Sequence, residues 1–358
     1  MTAFAHLLRP ELREFAAYQC ASPQRGVVRL HANETWWRAG WDDTVDGLNR
    51  YPDPRPAALI DALARLYGLD AERVLVTRGS DDGIDVLVRA FCRAGEDAVV
   101  VCPPTFGMYG VAARLQGAGV REVPLGRAFA LDPKRVLEAC TPGVVKLVFL
   151  CSPNNPTGNR LSTAAIVAVY RRLAERALVV VDEAYVEFSA GAPLTSLLAA
   201  HPNLVLLRTL SKAWGLAGAR CGTLLADAGL VATLRALLPP YPLPSLSVEA
   251  ALKRLAPAEV AVAQRRIAAT VRRRKALAAR LERLASVQHV WPSEANFLLV
   301  QFRDAAAAAR ACAAAGVLVR DFSAEPRLPN CLRITVGAAA ENRRLLAALE
   351  SAPVRVRA

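Results

Sequence analysis

The sequence lacks the long apolar runs and terminal signals that mark membrane and exported proteins. It has 358 residues, of which 53% are apolar, yet no apolar run comes near the roughly 20 residues that a membrane-spanning helix needs. Residues 1–10 contain neither a long apolar stretch nor a following cleavage-like site. We therefore expect a soluble chain without a membrane segment, large enough for one or two domains with real cores.

Cysteine and histidine are present but do not form a metal-binding pattern. The eight cysteines include no C-x-x-C pair, and the four histidines never approach one another or a cysteine at metal-ligand spacing. We therefore expect no structural metal, and unpaired cysteines favour a reducing cytoplasm.

Lysine is scarce: the chain has 5 lysines against 40 arginines, and its net charge is +13. A basic chain can indicate a nucleic-acid-binding protein, but the arginines are spread out, with one run at 272–274, and no aromatic residues interleave a basic patch. No G-x-G-x-x-G follows the first predicted strand, which disfavours a dinucleotide-binding dehydrogenase. The charge favours an anionic small-molecule ligand, with solubility accounting for the rest.

Short apolar runs alternate with helical patterns over most of the chain. The runs predict strands at 74–77, 98–102, 145–151, 178–181 and 204–208, with helices such as 82–92 and 163–176 between them. Strands buried on both faces and separated by helices predict an α/β fold with a mainly parallel sheet between helices.

The domain organisation is predicted from changes in composition and in the order of predicted helices and strands along the chain. From about Pro257 a long arginine-rich helix is followed by predicted strands at 296–302, 316–321 and 332–336, which indicates a smaller α/β domain. A proline-rich stretch at 239–244 is the natural boundary. We predict an N-terminal arm over 1–45 that packs on the small domain or on a partner subunit, a large domain over 46–245 and a small domain over 246–358.

Three polar segments follow predicted strands, where ligands bind in parallel α/β sheets. Residues 77–83 lead through a glycine turn into a helix whose N-terminus can hold a phosphate. Residues 103–109 contain aromatic rings that can stack on a flat ring. Residues 152–158 form a stiff turn with two asparagines between prolines. Taken singly, each also fits a structural explanation: a helix cap, a core aromatic and an ordinary turn.

Two reactive groups complete this set. Asp182 ends a fully apolar strand, where a carboxylate needs a cationic partner. Lys212 alone among the lysines lies beyond an apolar strand in a small-residue loop, and desolvation there would make it a nucleophilic amine. Together the segments require a ligand with a phosphate, a flat ring, a basic ring nitrogen and an aldehyde, and pyridoxal phosphate has all four.

On these segments the chain resembles the fold-type I pyridoxal-phosphate-dependent aminotransferases of class II. The match also includes 50–52, 209–222 and 331–337, and it runs in family order from about residue 18 to the C-terminus. The resemblance implies that Lys212 binds the cofactor covalently and moves the proton at the substrate carbon. It further implies that Asp182 pairs with the ring nitrogen, and that Asn155 and Tyr185 bond the ring oxygen.

The resemblance also assigns the remaining cofactor contacts. Phe106 would stack on the ring, Tyr51 would reach the phosphate from a neighbouring subunit, and the other phosphate contacts would come from Gly79, Ser80, Asp81, Ser211 and Arg220. A shared site of this kind implies a homodimer.

Substrate contacts are implied at Tyr18, Asn33, Arg320 and Arg333. Within the family, the chain is most similar to the members that transfer an amino group between histidinol phosphate and 2-oxoglutarate in histidine biosynthesis. A threonine-phosphate decarboxylase and an aromatic amino acid aminotransferase remain as alternatives. His31 and the Trp36–Trp37 pair depart from the family pattern and bear on substrate identity, and Arg320 could instead form an ion pair with Asp321.

Overall fold

The described part of the chain, residues 4–15, 18 and 27–351 of a computed structural model, contains two β-sheets. The larger sheet has seven strands in the order β1-β7-β6-β5-β4-β2-β3. Strand β7 is antiparallel to both of its neighbours, and the other pairs are parallel. The strands are β1 (Val74–Thr77), β2 (Ala98–Val101), β3 (Gly119–Glu122), β4 (Val145–Cys151), β5 (Leu178–Asp182), β6 (Leu204–Thr209) and β7 (Gly222–Leu225).

Helices cover both faces of the large sheet because its central strands are apolar on both sides. Leu59 and Leu63 of the first helix pack in one hydrophobic cluster, and Ile84, Leu87 and Phe91 of the second pack in the cluster on the opposite face. The helices are α1 (Ala57–Tyr67), α2 (Ser80–Phe91), α3 (Met108–Leu115), α4 (Pro133–Ala139), α5 (Thr163–Arg172), α6 (Ala228–Leu237) and α7 (Ser245–Arg254).

The smaller sheet is entirely antiparallel, in the order β10-β11-β9-β8. Leu277, Leu281 and Leu346 from the adjoining helices pack with Val300 and Phe302 in its core. Its elements are α8 (Pro257–Leu281), β8 (Val287–Val290), β9 (Phe297–Phe302), α9 (Ala305–Ala314), β10 (Arg320–Asp321), β11 (Cys331–Thr335) and α10 (Ala339–Glu350). Across the described ranges, no helix combines the length and apolar character needed to cross a bilayer.

Strand β10 is shorter than the sequence predicts. The predicted strand began at Gly316, but this glycine has φ +70° and turns the chain out of α9, a conformation that glycine adopts at no steric cost. The backbone therefore reaches β11 only at Arg320, which lies opposite Arg333 in the ladder. This register brings two arginines onto neighbouring strands.

The start of the chain contacts the large domain. Phe4, Leu7 and Leu8 are buried in the same hydrophobic cluster as the inner face of α2, and the backbone N–H of Arg9 donates to the carbonyl of Ala90 at 3.1 Å. Residues 4–9 of the predicted arm therefore pack on the large domain, whereas the sequence analysis expected the arm to pack on the small domain or on a partner subunit. The boundary at 245 stays a prediction, since α7 contacts both α1 and α8.

Candidate active site

The carboxyl ends of β4, β5 and β6 open into a cavity of about 220 Å³, which β11 of the smaller sheet also reaches. This is the edge at which parallel α/β sheets bind ligands. The cavity brings together most of the residues predicted from the sequence: Ser80, Asp81, Phe106, Asn155, Asp182, Tyr185, Ser211, Lys212, Arg220 and Arg333.

Lys212 lies in the loop that follows β6. A hydrogen bond of 3.0 Å from the N–H of Leu216 to the carbonyl of Leu210 closes this loop, and the lysine Nζ stands 5.8 Å from the centre of the Tyr185 ring. Desolvation, followed by the positive charge of Arg333, lowers the pKa of Lys212 below its usual value. A larger share of the amine is therefore neutral, and nucleophilic, near neutral pH.

Asp182 ends β5 in a buried position, with 3% of its surface exposed. Burial raises the pKa of Asp182 to about 6, although hydrogen bonds from the Tyr109 hydroxyl and the Ala184 N–H oppose the rise. These bonds measure 2.8 Å and 3.1 Å. A carboxylate in this setting attracts a cationic N–H group.

Tyr109 is the residue of this site that the sequence analysis missed. Its ring stacks on Phe149 at 4.9 Å with an interplanar angle of 5°, and contacts Phe106 edge-on at 5.6 Å. Tyr109 lies three residues after Phe106, in the first turn of α3, and in a segment already singled out for its aromatics. Its hydroxyl, aimed at Asp182, had no signal in the sequence because the two residues are 73 positions apart.

Arg333 joins the smaller sheet to the cavity. Its Nη1 donates to Asn155 Oδ1 at 2.5 Å, and Asn155 Nδ2 donates in turn to the Tyr185 hydroxyl at 3.5 Å. The guanidinium carbon lies 5.4 Å from the centre of the Phe297 ring and 5.3 Å from that of Phe322. Two aromatic rings and one amide therefore orient the guanidinium group beside the cavity.

A cradle for an anion lies at the N-terminus of α2. Gly79 has φ +81°, and a Cβ at this position would stand 2.6 Å from Nη2 of Arg220. A Cβ at Gly222 would stand 2.5 Å from the carbonyl carbon of Gly79. Arg220 also lies 3.4 Å from Ser211 Oγ and 3.3 Å from Asp81 Oδ2. Both glycines are needed for this close approach of backbone and guanidinium. The N-terminus of α2 beside them can bind an anion, since the first N–H groups of a helix have no partner within the helix.

Five predicted residues do not line the cavity of the single chain: Tyr18, Asn33, Tyr51, Gly79 and Arg320. Tyr51 stacks on Tyr241 with ring centres 4.5 Å apart. Arg320 is exposed beside Arg333, and within the described residues no carboxylate lies within 4 Å of it, so the alternative of an ion pair with Asp321 is not observed. Tyr18 and Asn33 are exposed.

A nucleophilic amine, a buried carboxylate and an anion cradle in one cavity define an enzyme site for a phosphorylated carbonyl compound. The profile of the family "Aminotransferase class I and II" matches residues 26–349. The chain belongs to this family. Over 350 residues it is 47% identical to a histidinol-phosphate aminotransferase of Stenotrophomonas maltophilia, and the match covers 96% of both chains.

Two solved structures share the fold. The histidinol-phosphate aminotransferase of Sinorhizobium meliloti in complex with pyridoxal-5'-phosphate has a TM-score of 0.73 and 29% identity, covering 85% of this chain and 82% of that one. The L-threonine-O-3-phosphate decarboxylase of Porphyromonas gingivalis also has a TM-score of 0.73, with 26% identity, covering 85% and 90%. Class I and II aminotransferases depend on pyridoxal phosphate. The family, fold class, enzyme class and cofactor predicted from the sequence are thereby confirmed.

Proposed function

We propose that this chain is a histidinol-phosphate aminotransferase. It would transfer an amino group reversibly between histidinol phosphate and 2-oxoglutarate, as a cytoplasmic step of histidine biosynthesis. The observation that carries this proposal is the 47% identity, over nearly the whole chain, to a relative of that name. The seven cysteines among the described residues are all free thiols, which supports a reducing compartment.

The donor set of the cavity fits pyridoxal phosphate. When bound, this cofactor supplies an electron sink for the negative charge that develops at the substrate carbon. Asp182 carries two neutral hydrogen-bond donors on its carboxylate, from Tyr109 and Ala184, so it has a buried negative charge to offer to a protonated ring nitrogen. The glycine-lined cradle at 79–81, with Ser211 and Arg220, suits the phosphate.

The roles of the other residues follow from their chemistry. Lys212 would hold the cofactor covalently and, once released, carry the proton to and from the substrate carbon, a role that its lowered pKa supports. Asn155 and Tyr185, which share a hydrogen bond, would bond the ring oxygen. Phe106, in edge-on contact with Tyr109, would stack on the ring.

The substrate contacts are proposed at the two opposed arginines of the smaller sheet. Arg320 and Arg333 lie directly across the β10–β11 ladder, and guanidinium groups bind phosphate and carboxylate groups alike. One pair could therefore serve the phosphate of histidinol phosphate in one half-reaction and a carboxylate of glutamate in the other. Tyr18 and Asn33 would complete this subsite.

We further propose a homodimer with shared sites. Residues 27–51 expose a group of large apolar side chains that a monomer would leave in water: Val28, Leu30, Trp36, Trp41 and Val45 are each more than 75% exposed. The segment is nevertheless held in place, because the buried carboxylate of Glu34 accepts from Arg29 at 2.6 Å, Arg50 at 3.0 Å and the Tyr51 N–H at 2.7 Å. A fixed apolar surface of this kind supports an interface between subunits.

Hybrid dimers test the shared site. Lys212→Ala and Tyr51→Ala variants should each have little activity alone, while mixing them with subunit exchange should restore about a quarter of the sites, since half of the dimers are hybrids with one intact site each. Sedimentation gives the dimer fraction. If the mixture stays as inactive as its components while hybrids form, Tyr51 does not serve the partner's site.

The visible spectrum of the purified protein tests the proposed function. With pyridoxal phosphate present, a yellow band should bleach on addition of histidinol phosphate without any keto acid. A band that responds to threonine phosphate with release of carbon dioxide would assign the decarboxylase reaction, for which the Porphyromonas gingivalis structure is a fold relative. A response to phenylalanine would assign an aromatic aminotransferase. No band at all would refute the cofactor assignment.

A further inference from the structure

Behind the cavity, a buried ion-pair network connects the two segments that carry the reactive groups. Arg208, the second-last residue of β6, is 4% exposed and Glu183 is 2% exposed. Arg208 Nε and Nη2 both lie 2.9 Å from Glu183 Oε2, and Arg208 Nη1 lies 3.4 Å from Glu187 Oε1. The same Glu187 oxygen accepts from Trp214 Nε1 at 3.3 Å.

The positions of these four residues along the chain are informative. Glu183 and Glu187 lie on either side of Tyr185, while Arg208 and Trp214 lie on either side of Lys212. The network therefore cross-links the segment that bears Tyr185 to the loop that bears Lys212 at two points on each. None of its four side chains lines the cavity.

Burying these charged groups costs free energy, so a gain in stability does not account for the network. Two carboxylates and one guanidinium leave a net negative charge in a largely buried place, and apolar residues of similar size would often be at least as stable. One carboxylate oxygen, Glu187 Oε2, is buried without a partner among the described residues. A buried, incompletely satisfied network is more readily explained by the geometry that it holds than by the stability that it adds.

We propose that Glu183, Arg208, Glu187 and Trp214 are positioning residues that fix Lys212 relative to Tyr185. The Trp214 N–H is the critical tether, since it anchors the end of the lysine loop to Glu187. This inference rests on the proposed function of Lys212. Beyond that function, we infer that contacts outside the cavity hold the lysine loop in place and keep the Lys212 amine within reach of the substrate carbon.

The test uses the cofactor-loaded protein and two kinds of variant at the tether. Trp214→Phe removes the N–H donor and keeps an aromatic ring, and Glu187→Ala removes the acceptor. We expect each to lower kcat by about tenfold or more, because small displacements of a reacting group are costly, with KM for histidinol phosphate changed less than about threefold since the substrate arginines are untouched. Glu187→Gln keeps an acceptor oxygen and should restore most of kcat.

A spectroscopic readout separates positioning from general damage. In Trp214→Phe, the pH midpoint at which the visible band of the lysine-bound cofactor changes should move by at least about half a unit, because the surroundings of the lysine nitrogen change. Trp291→Phe is the matched control: Trp291 packs against Phe129 and His289 and belongs neither to the cavity lining nor to the network, so removing its N–H should leave kcat and the midpoint unchanged.

A double-mutant cycle completes the test. If Trp214 acts through Glu187, Trp214→Phe combined with Glu187→Ala should lose no more kcat than Glu187→Ala alone, which also removes the contact with Arg208. Losses that multiply, or a Trp214→Phe variant with the kcat and midpoint of the wild type, would overturn the inference. If Trp214→Phe does not fold, the comparison of Glu187→Ala with Glu187→Gln tests the inference. An equal loss of kcat in both variants overturns the inference, and a higher kcat in Glu187→Gln supports it. A wild-type protein without a visible band would refute the proposed function and this inference together.

Discussion

Replacing Asp182 with asparagine is expected to stabilise the cofactor-free protein while it abolishes most of the activity. Burial raises the pKa of Asp182 from 3.8 to about 6. At 1.36 kcal/mol per pH unit, this shift corresponds to about 3 kcal/mol of folding free energy that the ionised carboxylate costs. Asparagine has nearly the same shape. Its Oδ1 can still accept from the Ala184 N–H while its Nδ2 donates to the Tyr109 hydroxyl oxygen, so it removes the charge without opening a cavity.

The expected gain in unfolding free energy of Asp182→Asn increases with pH. A carboxyl group with a raised pKa binds its proton more tightly in the folded state, so the wild type loses stability as the pH rises from about 4 to about 6. Urea unfolding of the cofactor-free proteins, followed by tryptophan fluorescence, should therefore give Asp182→Asn an advantage of about 3 kcal/mol at pH 8 and about half of that at pH 5.

Asp97 provides the matched control for this prediction. It is 2% exposed, but it forms ion pairs with Arg93 at 3.0 Å and Lys146 at 3.6 Å. Its charge is compensated, so Asp97→Asn should destabilise the protein at both pH values. The reasoning is refuted if Asp182→Asn gains nothing at pH 8, or if its gain is the same at pH 5 as at pH 8.

Three further variants test other parts of the site. Lys212→Ala should show no visible band with pyridoxal phosphate and no turnover in a coupled glutamate assay; a retained band would exclude this lysine as the point of attachment. Arg333→Ala should lower kcat/KM for histidinol phosphate about ten- to hundredfold, and Lys at this position should recover only part, because it cannot orient on Asn155 through a planar group. Gly222→Ala should cost about 1–3 kcal/mol in urea unfolding and weaken cofactor binding, because its Cβ overlaps the facing turn; wild-type affinity would contradict a crowded cradle.

The sequence predicted the central strands and missed the atypical ones. Runs such as 145–151 and 178–181 are apolar on both faces, and only a buried strand needs such a run. Strand β3 is partly exposed and carries Arg121 and Glu122, so its sequence contains no apolar run from which a strand could be predicted. Strand β7 has four residues and begins with a glycine. Propensity and periodicity are weak for such segments, whose structure is set by their neighbours in the sheet.

The same limit applies to the site. Residues at or just beyond the end of a strand, such as Asp182 and Lys212, could be selected from one sequence, because topology alone brings strand ends together. Tyr109 could not, since its role depends on the direction of a side chain across a tertiary contact. The roles predicted for Tyr51, Tyr18 and Asn33 involve surfaces that a single chain leaves exposed, and they stay predictions until the dimer is tested.

The antiparallel strand β7 determines when this site can exist during synthesis. Among the described residues, strand β1 pairs with no strand other than β7, so Val74 cannot pair until Leu225 has been synthesised. The parallel pairs between β2 and β6 can form earlier, since chains fold progressively from the N-terminus as they leave the ribosome. Gly79 and Gly222 can therefore come into contact only after most of the large domain has left the ribosome, and Arg333 is synthesised later still. A nascent chain would gain its cofactor late, and a ribosome stalled before residue 222 would hold a sheet without its anion cradle.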